Sequence, residues 1–296
     1  MKVIFFGTPA FAAEFLKGLI ADADFEVVGV VTQPDEPVGR KQVLTAPPVK
    51  ELGVTHDLPV FQPTKLKDEA FQAQIKKLGA DVGVVVAYGR ILPESLVSIL
   101  PHGFVNVHPS LLPKYRGPSP IIAAIAGGDD ETAVTIMKLV QDMDAGPSLA
   151  QTKIAVDPDE TPDSLTTKIV DVGLPLLLET LKEYVAGAIE PREQDHAQAT
   201  FCKLLKREDG VIDWSDSAEN IERKVRAFNP WPGTSTKDLK IFKVCASDKK
   251  LDSGIEQIDN GRLFIGSSTT ALEILELQPA GGKRMSTADY LRGRRD

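Results

Sequence analysis

The stretch FVNVHPSLLPKYRGPSP, residues 104–120, combines a strand pattern with two polar side chains. Phe104, Asn106 and His108 alternate with two valines, and side chains two residues apart in a strand lie on the same face. Pro109 has no backbone N–H to donate to a ladder, so the strand is expected to end at His108. The sequence therefore places an amide and an imidazole together at the carboxyl end of a strand.

This pair of side chains favours a reaction centre. Open α/β sheets bind their ligands in the crevice at the carboxyl ends of the strands. An amide and an imidazole both suit a carbonyl oxygen that becomes an oxyanion. The alternative for Asn106 and His108 alone is a buried structural pair. The SLLP segment and the Gly/Pro-rich turn that follow favour chemistry.

The segments on the amino-terminal side predict an α/β fold with a Rossmann-like, mostly parallel sheet. Residues 2–6 and 26–32 are apolar runs, and residues 11–20 between them carry apolar side chains at helical spacing. This β-α-β order predicts parallel strands with right-handed crossovers. The first turn, GTPAF, has one glycine and so lacks a dinucleotide fingerprint. Further strands are expected at residues 58–63, 80–93, 103–108 and 132–140, and helices at 118–128, 159–187 and 218–227.

Two connections flank the expected crevice. Residues 33–48 are predicted to form a long loop, and loops of this length are usually functional or disordered. Arg40 and Lys41 on this loop either hold an anionic substrate or belong to a solvated surface. Tyr88 and Gly89 follow the strand in 80–93, so their backbone groups are expected to line the crevice.

Residues 141–150 are predicted to form a loop that carries two carboxylates, Asp142 and Asp144. Either carboxylate is able to orient His108 through a ring nitrogen and later accept a proton. Aspartate before glycine is also common in turns. The residues alone do not choose between Asp142 and Asp144.

The length of 296 residues accommodates two domains of an ordinary globular protein. We predict a first domain at residues 1–188, a linker at 189–206 and a second domain at 207–296. Several short strands in under a hundred residues predict a small, OB-fold-like β-barrel for the second domain. The strand patterns there lie at residues 239–246, 262–267 and 271–278.

Composition excludes several classes of protein. The formal net charge of −8 makes non-specific nucleic-acid binding unfavourable, although residues 206–296 are close to neutral. The two cysteines form no disulfide framework, and the four histidines lack metal-ligand spacing, so we expect a cytoplasmic protein without a metal. Gly7 and Pro9 interrupt the first apolar run too early for a signal peptide or a membrane span.

Stretches along essentially the whole chain resemble the methionyl-tRNA formyltransferase family. The NVHPSLLP segment is shared by folate-dependent formyltransferases in general, so it indicates only the reaction. The QPD…GR loop and the second domain narrow the substrate. The matching stretches are FFGTPAFA (5–12), VVGVVTQPDEPVGR (27–40), VVVAYGRILP (84–93), NVHPSLLPKYRG (106–117), VTIMKLVQDMDAG (134–146), IDWSDSAENIERKVRAFNPWPG (212–233) and LQPAGGKRM (277–285).

The resemblance implies a reaction and a catalytic trio. The reaction is transfer of a formyl group from 10-formyltetrahydrofolate to the α-amine of methionine on initiator tRNA. The trio is Asn106, His108 and Asp144, so the resemblance selects Asp144 over Asp142. We expect the amine to attack directly while Asn106 and His108 stabilise the oxyanion and Asp144 orients His108 and relays the proton.

The resemblance also implies binding residues and partners. Arg40 is expected at the tRNA acceptor end with Lys41 beside it, the second domain is expected to bind tRNA, and the protein is expected to be a monomer. Tyr88 and Gly89, at the crevice, are expected to bind the folate. The segment expected to contact the folate consists of Ser110, Leu111, Leu112 and Pro113.

Two related activities stay open at this point. A folate-dependent formyltransferase that acts on an amino-sugar nucleotide, and a 10-formyltetrahydrofolate hydrolase, are both similar in layout. A glycinamide ribonucleotide enzyme is less similar, because it requires a glycine-rich phosphate loop after the first strand and has no second domain. A non-catalytic folate- or tRNA-binding module is disfavoured, since Asn106, His108 and Asp144 are all present.

Overall fold

The structure is a computed structural model that describes residues 1–39 and 41–293, so Arg40 lies outside the described residues. The helices are α1 (Ala10–Ala21), α2 (Pro48–Thr55), α3 (Glu69–Lys77), α4 (Glu94–Val97), α5 (Pro120–Gly127), α6 (Pro162–Val185), α7 (Ala218–Ala227) and α8 (Thr287–Gly293). The strands are β1 (Lys2–Gly7), β2 (Glu26–Val31), β3 (Glu36–Val38), β4 (Val43–Thr45), β5 (Val60–Phe61), β6 (Val82–Val86), β7 (Phe104–His108), β8 (Glu131–Lys138), β9 (Ser148–Ala155), β10 (Thr234–Thr236), β11 (Leu239–Ala246), β12 (Glu256–Asp259), β13 (Arg262–Gly266), β14 (Ala271–Pro279) and β15 (Met285–Ser286).

Seven strands form the main sheet, in the order β5-β2-β1-β6-β7-β8-β9. The pairs from β5 to β7 are parallel, and β8 runs antiparallel to β7. Every residue of β6 and β7 is buried, which is typical of central strands covered on both faces. The predicted Rossmann-like, mostly parallel sheet is confirmed.

The core beside β7 depends on Phe104. Its ring is 1% exposed and packs edge-to-face on Phe6, with centroids 5.2 Å apart. Phe6 packs in the same way on Tyr88, at 5.4 Å. A Cβ at Gly83 would lie 2.2 Å from the Phe104 ring, so glycine there leaves room for the aromatic side chain. These contacts fix the strand that carries Asn106.

The chain divides into two compact units, each made of three segments. The first contains Met1–Pro118, Thr132–Ile154 and Thr166–Phe201, and the second contains Ser119–Glu131, Ala155–Leu165 and the residues from Cys202 onward. These units are defined by contacts and combine segments from different parts of the sequence, so their limits differ from the predicted boundaries 1–188, 189–206 and 207–296. The predicted boundaries remain a prediction.

The second unit contains an antiparallel sheet in the order β10-β11-β14-β13-β12, with β15 paired to β14. One face of the sheet is apolar, and α7 adds Ile221 and Val225 to the same core. The predicted fold class, an α/β domain followed by a smaller β domain, is confirmed. The buried strand residues include Ile241, Leu263, Ile265, Leu272, Ile274 and Leu277.

Two predictions of irregular structure were wrong in part. Residues 33–48, predicted as a loop, contain a hairpin of β3 and β4 whose six side chains are all exposed. A hairpin that buries no side chain leaves no alternating pattern. Residues 141–150, also predicted as a loop, contain the start of β9, whose polar side chains disguise the strand.

No helix in the described part of the chain is long and apolar enough to cross a membrane.

Replacement of Phe104 by alanine is expected to lower the free energy of unfolding by about 3–5 kcal/mol, because it removes a buried aromatic ring and leaves a cavity beside β7. Urea unfolding followed by circular dichroism measures the change. Phe201→Ala is the matched control: its ring is 70% exposed in the same unit, so its cost is expected to stay within about 0.5 kcal/mol. Equal losses in both variants would contradict the assignment of Phe104 to the core.

Candidate active site at the carboxyl end of β7

Strand β7 carries Asn106 and His108 on one face, and both side chains are buried, at 8% and 4% exposure. In the described part of the chain, no other residue hydrogen-bonds to the Asn106 side-chain amide. Asn106 is not among the described residues whose side-chain polar atoms are both fully buried and unpaired, so its amide reaches solvent at the strand end and is accessible to a ligand.

The imidazole of His108 is held by a backbone carbonyl. Its Nε2 lies 3.0 Å from the oxygen of Tyr115. A carbonyl oxygen only accepts hydrogen bonds, so this contact assigns a proton to Nε2. The other ring nitrogen, Nδ1, lies 3.7 Å from Oδ1 of Asp144, which is too far for a hydrogen bond and close enough for an ion pair with a protonated ring.

The carboxylate of Asp144 is aimed by the backbone. The Gly117 N–H donates to its Oδ2 at 2.7 Å, which leaves Oδ1 facing His108. Asp144 has a φ of +50°, a left-handed conformation that aspartate tolerates better than most residues. The structure thus brings Asp144, and not the exposed Asp142, to the imidazole.

Gly146 closes the same loop against β8. A Cβ at this position would lie 1.9 Å from the Lys138 carbonyl oxygen. The requirement is for space rather than for an unusual φ, so even alanine is too large. Close approach of the backbone at Gly146 is therefore part of the geometry that presents Asp144.

The segment from Ser110 to Pro113 forms a tight turn beyond β7. Ser110 Oγ donates to the Lys114 carbonyl at 2.6 Å. Gln151 Nε2 donates to the Leu112 carbonyl at 3.1 Å and to Thr135 Oγ1 at 2.7 Å. Leu112 is buried, whereas Leu111 and Pro113 are half-buried.

Thr135 and Gln151 were missed by the sequence analysis, although both hold this turn. Thr135 Oγ1 also donates to the Ser110 carbonyl at 2.7 Å. They come from β8 and β9, far from residues 110–113 in sequence. Polar side chains inside strands were the only signal, and that signal does not identify a partner.

Tyr88 and Gly89 lie just beyond β6, the parallel neighbour of β7. The Tyr88 carbonyl accepts hydrogen bonds from Thr8 Oγ1 at 3.0 Å and from Gln33 Nε2 at 3.1 Å. The Tyr88 side chain belongs to the core, and burial raises the pKa of its hydroxyl. Gly89 has a φ of +83°, which favours glycine. At the end of β6, Tyr88 and Gly89 therefore present backbone groups, rather than side chains, to the crevice.

The hairpin of β3 and β4 is anchored at its base by Asp35. This carboxylate accepts from Lys50 Nζ at 2.7 Å and from Gln62 Nε2 at 2.7 Å. The hydrogen bond from Gln62 and the ammonium of Lys50 hold the pKa of Asp35 below its usual value. Lys41 lies exposed in the turn between the two strands. The sequence predicts Lys41 as a binding residue but carries no signal for the anchor at Asp35.

Two sequence families match consecutive parts of the chain. Residues 1–181 match the family described as "Formyl transferase". Residues 204–295 match the family described as "Formyl transferase, C-terminal domain".

Curated relatives match over nearly the full length. The methionyl-tRNA formyltransferase of Roseiflexus castenholzii is 47% identical over 300 residues, which cover 99% of this chain and 96% of the relative. The methionyl-tRNA formyltransferase of Chloroflexus aurantiacus is 45% identical, with 99% and 97% covered.

Solved structures share the fold at low identity. The N-formyltransferase from Helicobacter canadensis, in complex with folinic acid and dTDP-3-aminofucose, superposes with a TM-score of 0.70 at 16% identity, covering 96% of this chain and all of that one. HypX from Aquifex aeolicus, in complex with tetrahydrofolic acid, gives a TM-score of 0.63 at 17% identity, covering 98% of this chain and 47% of that one.

Replacement of Gly146 by alanine is expected to destabilise the protein by about 1–3 kcal/mol, because the new methyl group overlaps the Lys138 carbonyl oxygen and the backbone must shift. Thermal unfolding measures the loss. Gly293→Ala is the control, since no atom of the described residues lies within 4 Å of a Cβ there. An unchanged melting temperature for Gly146→Ala would show that the loop is not packed as described.

Proposed function

The chain belongs to the methionyl-tRNA formyltransferase family, and we propose that it transfers the formyl group of 10-formyltetrahydrofolate to the α-amine of methionyl initiator tRNA. The observation that carries this proposal is identity of 47% along nearly the full length of a methionyl-tRNA formyltransferase. Both halves of the chain match formyl transferase families, so the likeness is not confined to the formyl-transferring half.

The amine of the methionyl group attacks the formyl carbon and produces a tetrahedral oxyanion. The Asn106 amide donates a hydrogen bond to that oxygen. Its support is an amide that no other described residue engages and that is still accessible at the end of the strand. A donor fixed in place before the reaction stabilises charge that develops only in the transition state.

His108 supplies the second donor through Nδ1. Its Nε2 is committed to the Tyr115 carbonyl, so Nδ1 is the nitrogen that faces the reacting groups. Donation from Nδ1 as well as Nε2 requires that both ring nitrogens carry protons. Nδ1 stands 3.7 Å from Asp144 Oδ1, outside hydrogen-bond range, so its N–H is available to point to the substrate oxygen.

Asp144 has two tasks in this mechanism. It orients His108, and it accepts the proton that the amine loses on attack. That proton passes to the folate nitrogen as the bond to the formyl carbon breaks, which releases tetrahydrofolate. The amine is itself the nucleophile, so the steps need neither a covalent enzyme intermediate nor a metal.

The folate is proposed to lie along the turn from Ser110 to Pro113, with backbone groups of Tyr88 and Gly89 on the other side. Support comes from the position of both segments beyond neighbouring parallel strands, where α/β sheets bind ligands.

The tRNA is proposed to contact Arg40 and Lys41 and to bind the second domain. The exposure of Lys41 supports its part in this contact. We propose that the enzyme acts in the cytoplasm, where translation takes place, and that it acts as a monomer.

An acceptor panel tests the substrate assignment. Formyl transfer from 10-formyltetrahydrofolate is measured with methionyl initiator tRNA, methionyl elongator tRNA, an amino-sugar nucleotide and glycinamide ribonucleotide. We expect transfer to the initiator tRNA at a much higher kcat/KM than to the other acceptors. Transfer only to a small amine would refute the tRNA assignment, and formate release without acceptor preference would indicate a hydrolase.

Asn106→Ala and His108→Ala are each expected to lower kcat by about 100- to 1,000-fold, because each removes one donor to the oxyanion. Steady-state kinetics with methionyl initiator tRNA measure the loss. His56→Ala is the control, since this histidine is exposed beyond α2 and is expected to keep full activity. Near-full turnover of both site variants as folded proteins would overturn the mechanism.

A further inference from the structure

Gln194 makes a set of buried contacts that the proposed mechanism does not yet use. The side chain is 8% exposed and belongs to the first unit. Its Nε2 donates to the Asp144 carbonyl at 2.9 Å and to the Gly146 carbonyl at 2.7 Å. One amide group thus holds the backbone on both sides of Ala145.

Arg116 fixes which way that amide points. Its Nε and Nη2 donate to Gln194 Oε1 at 3.1 and 2.7 Å. A guanidinium only donates, so the oxygen of Gln194 must face Arg116 and the nitrogen must face the loop. The Arg116 side chain is itself 5% exposed. The orientation of Gln194 therefore follows from chemistry and not from an arbitrary amide assignment.

The segment that carries Arg116 also touches both members of the candidate acid–base pair. The preceding carbonyl, of Tyr115, accepts from His108, and the following N–H, of Gly117, donates to the Asp144 carboxylate. Gln194 consequently bridges the backbone of the Asp144 loop to the segment that aims both side chains.

The sheet topology explains why this loop needs support. Strand β8 is antiparallel to β7, so its end at Lys138 lies opposite Val105, while His108 lies opposite Thr135. Three residues of strand correspond to about 10 Å. The chain after β8 must cover that distance back along β7 to bring Asp144 to the imidazole. Inside the described loop, Asp144 also takes a left-handed φ, which isolated chains populate sparsely.

We propose that Gln194 is a positioning residue for Asp144, acting through the loop backbone, in the formyl transfer proposed above. It pins residues 144–146 so that Oδ1 of Asp144 stays beside His108. The inference rests on the proposed function for its kinetic consequence and on the structure alone for its effect on the loop.

Gln194→Glu tests the inference with little change in shape. A carboxylate still accepts from Arg116 but cannot donate to the carbonyls of Asp144 and Gly146. We expect kcat to fall by about 10- to 100-fold, since a displacement near 1 Å of a reacting group costs up to about 100-fold. The KM values for the folate and the tRNA are expected to change less than about threefold, because Gln194 is buried and lies outside the residues proposed to bind the folate and the tRNA.

Gln198→Glu is the matched control. This glutamine lies four residues further on, is exposed, and bonds only to Asp195 in the described part of the chain. It introduces the same charge without reaching the loop. We expect wild-type kcat and KM for it. A loss equal to that of Gln194→Glu would attribute the effect to charge and overturn the inference.

A double-mutant cycle with Asp144→Asn separates positioning from a merely structural role. If Gln194 acts through Asp144, Gln194→Glu costs almost nothing further in the Asp144→Asn background. Losses that multiply would show independent action and overturn the inference. If Gln194→Glu does not fold, Arg116→Lys takes its place, because lysine keeps the charge but cannot make both hydrogen bonds of the guanidinium to Gln194 Oε1. The same non-additivity with Asp144→Asn is expected.

Amide hydrogen exchange at Ala145 provides a readout that does not depend on formyl transfer. Its N–H donates to the Asp142 carbonyl within the loop. Exchange is expected to accelerate at least tenfold in Gln194→Glu, or in Arg116→Lys in its place, and to stay unchanged in Gln198→Glu. Unchanged exchange would overturn the inference even in an active enzyme. Accelerated exchange in a protein that transfers no formyl group would leave the pinning intact and refute only the proposed function.

Discussion

The hydrogen bond between His108 Nε2 and the Tyr115 carbonyl is the contact on which the site depends. It fixes the ring plane, assigns the proton on one nitrogen and leaves the other nitrogen toward Asp144. Tyr115 holds its carbonyl there with a left-handed φ of +58°, while its own N–H donates to Thr200 Oγ1. Thr200, 85 positions after Tyr115, thus helps to fix which nitrogen of His108 carries the proton.

The part of the site that the sequence predicts is the part that one strand carries. Alternation along β7 places Asn106 and His108 on one face without knowledge of any neighbour. The choice of Asp144 over Asp142 required resemblance to a family, because both are loop carboxylates. Gln194 and Arg116 escaped prediction because a buried hydrogen bond between residues 78 apart has no periodic signature.

The fold follows the same division. Apolar runs predict β1 and β6, because burial on both faces of a sheet leaves few polar positions in a strand. The hairpin of β3 and β4 lacks such a signal, since its side chains face solvent and its cohesion comes from backbone pairing. Strand β9 was hidden for a related reason: its partly exposed positions carry Gln151 and Lys153. Burial, rather than strand geometry itself, is what the sequence reveals.

The first unit is made of three segments that are separated in the sequence, and this determines the order in which its parts are completed during synthesis. Its last segment ends at Phe201, and Gln194 lies within it. Domains generally fold from the amino terminus as synthesis proceeds. All seven strands of the main sheet have been synthesised once β9 emerges from the ribosome, but the Asp144 loop waits about 40 residues more for its buried amide partner. Vectorial synthesis therefore completes the scaffold first and the reaction centre last.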